Sequence, residues 1–86
     1  MNINDLIVIV KKKIKENVSV DNIDIEDKTF LHKNHESHNI KKFHLKLIIK
    51  SPELNGMKKI QSTRKIYSIL KEELDQYIHS IQILIH

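Results

Sequence analysis

Three histidines lie at every third position of the segment HKNHESH, at His32, His35 and His38. Neutral imidazole ligates several transition metals, and its charge changes near physiological pH. The segment could therefore bind a metal ion, respond to pH, or serve only as a solvated connection. A spacing of three lacks the rigid i, i+4 geometry with which two helical histidines grip one ion, and no fourth ligand accompanies it. We expect any metal affinity of this segment alone to be incidental.

The chain has 86 residues and no cysteine, so it supplies no disulfide, thiolate nucleophile or sulfur ligand. It also lacks a glycine-rich phosphate loop and any local serine, histidine and carboxylate pattern, which argues against an enzyme. The longest apolar run, Leu6 to Val10, is far shorter than the roughly 20 residues that cross a bilayer. We expect a soluble, cytoplasmic protein without membrane contact.

The formal net charge of +4 and the pI near 9.4 would ordinarily indicate a polyanionic partner. The great excess of isoleucine, lysine and asparagine, however, is typical of an AT-rich genome, and this weakens the charge as evidence. Lys11, Lys12 and Lys13 fall toward the end of a predicted helix, where the helix dipole favours cations. We interpret these lysines as a solvated helix end.

Hydrophobic periodicity predicts six elements along the chain. They are a helix over 4–17 with Asn4 as N-cap, strands over 23–28 and 44–50, a short helix opened by Ser51-Pro52, a longer helix over about 57–78, and a strand over 81–85. Two neighbouring strands most simply pair as a hairpin, although their connection is unusually long.

This order predicts a single α+β domain over residues 1–86, with one small sheet and the helices on one of its faces. Glu72, Glu73 and Asp75 are interpreted as the solvent-exposed face of the longer helix.

With the elements in place, four ordered segments resemble the BolA-like family over nearly the whole chain. They are IEDKTFLH (25–32), HLKLIIKSPELNG (44–56), IYSILKEEL (66–74) and IHSIQI (78–83). One departure is clear: the family typically has Arg-His-Arg at the start of the long helix, whereas this chain has Ser62, Thr63 and Arg64. The resemblance implies a class II KH-like fold with the order α-β-β-α-α-β and a three-stranded mixed sheet.

The family resemblance also implies a partnership with a monothiol glutaredoxin around a shared [2Fe-2S] cluster, in which the partner and glutathione supply sulfur ligands. His79 matches the family's histidine near the C-terminal strand, and His32 matches the loop ligand, with His35 or His38 as alternatives. Imidazole can replace thiolate on such a cluster, as Rieske-type ligation illustrates. We expect no cluster and a monomeric state in the isolated chain. His44, placed on the exposed face of the second strand, and His86 are assigned no role.

The family's second known activity is nucleic-acid binding with transcriptional control. A usual KH module clamps the backbone with a GxxG loop, which a chain with one glycine cannot form. Four basic residues near the start of the longer helix could still contact phosphates: Lys58, Lys59, Arg64 and Lys65. We expect such binding to DNA to be weak and salt-sensitive.

Overall fold

The computed structural model describes residues 1–29 and 42–86. In chain order, its elements are α1 (Ile3–Asn17), β1 (Asn22–Asp27), β2 (Phe43–Lys50), α2 (Pro52–Asn55), α3 (Lys59–Ile69), α4 (Lys71–Gln76) and β3 (Ile78–Ile85). The predicted α+β class and element order are confirmed, except that the predicted longer helix is divided in two. None of the helices in these ranges is long and apolar enough to cross a membrane.

The first helix begins earlier than its sequence pattern suggests. The N-cap is Asn2 and not the predicted Asn4, because the side-chain oxygen of Asn2 accepts a hydrogen bond from the backbone N–H of Asp5 at 2.8 Å. The two additional residues include Ile3, whose side chain packs against the core. Apolar contact therefore favours the earlier start.

The three strands form one mixed sheet with β2 at its centre. β1 pairs antiparallel with β2, as predicted for the hairpin, and β3 pairs parallel with β2. A parallel neighbour requires a crossover connection, which the three later helices provide.

The core lies between one face of this sheet and the helices. Its central strand contributes Leu45, Leu47 and Ile49, all at most 2% exposed, and α1 contributes buried residues at every fourth position. Half-buried isoleucines of β3 pack at the edge of the same cluster. The alternating residues of β2, including His44 and Lys46, consequently lie on the opposite face of the sheet.

A change of backbone conformation at Leu70 separates α3 from α4. Leu70 has φ −100° and ψ 19°, outside helical values, while its side chain is completely buried. Past this point Glu73 faces inward, so its interpretation as an exposed residue is wrong: Glu73 is 5% exposed and pairs with Lys13 Nζ at 2.7 Å. The ion pair joins α4 to α1.

Candidate metal centre

An irregularity in β3 sets the position of His79. Phe43 pairs with Ile78, but the next residue of β2, His44, pairs with Ser80, so β3 contains one additional residue at this point. Such a β-bulge redirects side chains locally. Both His79 and Ser80 are exposed, whereas Ile78 is buried. The bulge therefore presents His79 to solvent without displacing Ile78 from the core.

Two imidazoles meet beside the bulge. The ring centroids of His44 and His79 lie 4.9 Å apart, with the ring planes tilted by 52°. The Nδ1 atom of His44 lies 2.5 Å from the hydroxyl oxygen of Ser80, a hydrogen bond that fixes the orientation of the His44 ring.

The separation of the two rings bears on whether one metal ion could contact both of them. Two nitrogens that each lie about 2 Å from one metal are at most about 4 Å apart, and rings in contact can satisfy that limit. Among residues 1–29 and 42–86, however, no group of three or more histidine, cysteine, aspartate or glutamate side chains could hold a metal ion. At this place the described residues thus bring two imidazoles together, those of His44 and His79, and further ligands would have to come from elsewhere.

The connection between β1 and β2 leaves the sheet next to this pair. The backbone N–H of Lys28 donates to the carbonyl oxygen of His44 at 2.7 Å, and the N–H of His44 donates to the Thr29 hydroxyl oxygen at 3.1 Å. Asp27 in turn accepts hydrogen bonds from both the N–H and the hydroxyl of Thr29. The segment that leads to His32 therefore starts from Thr29, whose hydroxyl is hydrogen-bonded to the backbone N–H of His44.

The predicted ligands have different outcomes. His79 is exposed at the bulge, where it can reach a partner. His32, His35 and His38 lie outside the described residues, so their proposed roles stay predictions. His44 was assigned no role, yet it is half-buried and contacts both His79 and Ser80.

A sequence signal for the position of His79 does exist. Ile78 and Ile81 are three residues apart, and both pack in or against the core. In a regular strand, residues an odd number of positions apart point to opposite faces. That spacing therefore predicts the bulge and, with it, the proximity of His79 to the exposed face of β2.

A shallow groove of about 240 Å³ continues from His44 across the outer face of the sheet. Lys28, Lys46, Ser80 and Gln82 line it beside the imidazole. Lys28 also forms an ion pair with Glu26, at 3.1 Å. The groove offers cationic and neutral hydrogen-bonding groups next to the histidine pair, which suits a polar or anionic ligand.

The basic residues of the alternative site lie elsewhere. Lys58 is the N-cap of α3, and Lys58, Lys59 and Arg64 are exposed. Lys65 instead pairs with Glu53 at 3.3 Å, which offsets part of its charge. Three exposed basic side chains thus remain near the start of α3, while Ser62 between them is buried and donates its hydroxyl to Lys59 O.

The sequence model for the family described as "BolA-like protein" matches residues 14–86. The chain belongs to the BolA-like family. It is 30% identical over 78 residues to the UV-induced protein uvi31 of Schizosaccharomyces pombe, an alignment that covers 86% of this chain and 76% of that protein. It is likewise 30% identical over 73 residues to the DNA-binding transcriptional regulator BolA of Haemophilus influenzae, covering 85% and 68% of the two chains.

The BolA-like fold is equally clear from known structures. The BolA domain of SufE1 from Arabidopsis thaliana superposes with a TM-score of 0.76 at 21% identity, covering 99% of this chain and 92% of that one. The family and the fold class inferred from the four sequence segments are therefore confirmed.

Proposed function

We propose that this BolA-like chain is a non-enzymatic partner of a monothiol glutaredoxin and that it shares or transfers a [2Fe-2S] cluster. The observation that carries the proposal is the exposed imidazole of His79, held out by a bulge and in contact with a second imidazole. Membership of the BolA-like family supports it. An exposed imidazole on a strand suits a cluster that another protein carries, because that protein can bring the cluster directly to the imidazole.

The proposed ligands from this chain are His79 and His32. His32 follows Thr29 by three residues, a separation that a chain spans in at most about 11 Å. Since Thr29 is bonded to His44, which contacts His79, the starting point of the connection is close to the proposed site. His35 and His38 are alternative donors on the same connection.

The chemistry agrees with a chain that has no cysteine. The glutaredoxin and glutathione would supply sulfur, and this chain would supply neutral nitrogen. Replacing a thiolate by an imidazole makes the ligand set less negative and raises the reduction potential of the cluster. In the groove next to His44, Lys46 provides positive charge for an anionic group such as a carboxylate of glutathione, with a weaker contribution from Lys28, which is ion-paired with Glu26.

The test is to mix the purified chain with a glutathione-loaded, cluster-bearing monothiol glutaredoxin. Visible absorption and circular dichroism of the cluster should change, because two of its donors change from sulfur to nitrogen. His79→Ala should abolish the change while far-UV circular dichroism of the chain is retained. His86→Ala is the matched control, since it removes an exposed imidazole at the other end of β3 and should leave the spectral change intact.

The loop ligand can be identified in the same assay by replacing His32, His35 and His38 with alanine one at a time, with His32→Ala expected to have the largest effect. Unchanged spectra together with separate elution of the two proteins on gel filtration would reject the proposal. Co-elution with unchanged spectra would instead identify an adaptor that docks on the glutaredoxin without sharing metal.

DNA binding with a role in transcription is the second candidate function. A specific observation favours it: the relative from Haemophilus influenzae, 30% identical, is named a DNA-binding transcriptional regulator. The residues of this chain that would contact phosphates are Lys58, Lys59 and Arg64 near the start of α3, with a weaker contribution from the ion-paired Lys65.

A further inference from the structure

The outer edge of β3 is unusual for an edge strand because it carries no charge. β3 has the sequence IHSIQILI, without Lys, Arg, Asp, Glu, Pro or Gly. The opposite edge strand, β1, has Asp24, Glu26 and Asp27 within six residues. Natural proteins usually protect exposed strand edges with charged side chains or proline. In this sheet only the β1 edge is protected by charge.

The backbone of β3 offers hydrogen-bonding groups on that edge. At its end, His86 uses both groups toward β2: its N–H donates to Ile49 O at 2.9 Å, and its carbonyl accepts from Ser51 N at 3.0 Å. Successive residues of a strand direct these groups to opposite sides, so those of Ile81, Ile83 and Ile85 point away from β2. Within residues 1–29 and 42–86, no strand pairs with this edge.

We propose that the β3 edge pairs antiparallel with β3 of a second copy of this chain, which joins two three-stranded sheets into one of six strands. A second copy fits because neither strand brings a charge that would repel the other, and because a two-fold axis requires a self-complementary edge. A β1 edge would instead place carboxylates opposite carboxylates.

The positions of the free backbone groups select a register. When Ile83 lies opposite Ile83 of the second copy, Ile81 lies opposite Ile85, and each of these pairs can exchange two hydrogen bonds. The same three isoleucines are half-buried at the margin of the core. Pairing would bring them against their counterparts and exclude the water that now reaches them.

This register leaves the bulge outside the paired stretch. Gln82 would face Leu84 of the second copy on the outer side of the sheet, and His79 would lie two residues before the paired stretch of 81–85. The dimer would therefore keep the histidine pair accessible. Because the contact is short, we expect a weak dimer with a Kd of about 10 to 100 µM, in place of the monomer expected from the sequence.

Sedimentation velocity over about 5 µM to 1 mM tests the proposal, since a dimer with that Kd would shift from mostly monomer to mostly dimer across this range. Both Gln82 and Leu84 are exposed, so Q82E/L84E should preserve the fold while placing glutamates opposite each other in the dimer. We expect Kd to increase at least tenfold. The Kd of the Q82K/L84K dimer should increase in the same way. An equimolar mixture of the two variants should restore association, because lysines then lie opposite glutamates.

Val8→Glu is the control, because Val8 is 64% exposed on α1 and the substitution adds charge away from the edge. It should leave Kd unchanged. A chain that stays monomeric at 1 mM, or a dimer that Q82E/L84E does not weaken, would overturn the proposal. Amide hydrogen exchange gives a second criterion: the N–H groups of Ile81, Ile83 and Ile85 should be protected only at high concentration. Equal protection in the dilute monomer would show that the chain itself covers the edge.

Discussion

Among single residues, Lys13 and Glu73 form an ion pair between a half-buried lysine and a buried carboxylate. One carboxylate oxygen of Glu73 contacts Lys13 Nζ at 2.7 Å, and the other is buried with no hydrogen-bond partner among the described residues. The hydrogen bond to Glu73, followed by the negative charges of Glu73 and Glu72, raises the pKa of Lys13 above its usual 10.5, although burial opposes the shift. The folded state therefore favours charged Lys13, because it neutralises a buried carboxylate.

We predict that Lys13→Met lowers the midpoint temperature of unfolding at pH 7, since it leaves Glu73 without its counter-charge. Because folding raises the pKa of Lys13, its contribution is complete below pH 10.5 and is lost as the pH rises through the higher pKa of the folded state. The difference in midpoint temperature between Lys13→Met and the unmodified chain should accordingly shrink once the pH exceeds the folded-state pKa of Lys13. Lys12→Met, at an exposed position of the same helix, is the control for thermal unfolding curves. Equal effects of the two variants would contradict this assignment.

Among the elements, α2 and the end of β2 are joined through Ser51 to the connection between α1 and β1. The Ser51 hydroxyl accepts a hydrogen bond from Leu54 N at 3.1 Å and donates one to Ser19 O at 2.6 Å, and the side chain is fully buried. It thereby caps α2 at its N-terminus and holds the end of β2 against the connection between α1 and β1. The Ser51-Pro52 pair in the sequence predicted the start of this helix, and the prediction is confirmed.

Ser51→Ala should destabilise the chain by about 2 kcal/mol, because it removes a helix cap and leaves the buried N–H of Leu54 and the partly buried carbonyl of Ser19 without this partner. Chemical denaturation would measure the loss as a lower midpoint with an unchanged slope. Ser68→Ala provides the comparison, since Ser68 is exposed within α3 and should change stability by less than about 0.5 kcal/mol. A small effect at Ser51 would mean that water replaces the lost hydroxyl.

Periodicity predicted which elements form but not where one of them bends. Ile66, Leu70 and Leu74 are spaced by four and keep one apolar face across the junction of α3 and α4, so the pattern does not show the break at Leu70. Glu73 follows Ile66 by seven residues and Leu70 by three, so helical spacing already places it on the buried face; its charge, and not its spacing, suggested an exposed position. The contact of His44 with His79 was missed for a different reason: a β-bulge changes the pairing of two strands, which the pattern within one strand records only as an odd spacing.

At the scale of the whole molecule, the net charge of +4 is distributed unevenly. Lys13, Lys28 and Lys65 form ion pairs, whereas Lys58, Lys59 and Arg64 are exposed near the start of α3. If the second candidate function holds, these three residues should account for much of the salt dependence of DNA binding.

A plot of log K for DNA against log salt has a negative slope. We predict that K58Q/K59Q makes this slope less steep by about two, because each lysine that contacts a phosphate contributes about 0.9. Fluorescence anisotropy of a labelled duplex at several salt concentrations would measure the slope. K11Q/K12Q removes the same charge from α1 and should change the slope less. Failure of the unmodified chain to bind DNA even at low salt would eliminate this function.

The bulge at His79 allows selection for stability to be distinguished from selection for function. Without His79, Ile78, Ile81, Ile83 and Ile85 would alternate regularly and fill the same positions in the core. A chain under pressure for stability alone would gain nothing from the additional residue, since a bulge interrupts the ladder. Deletion of residue 79 should therefore be tolerated in a screen for thermal resistance, whereas a screen for the proposed cluster binding should reject it.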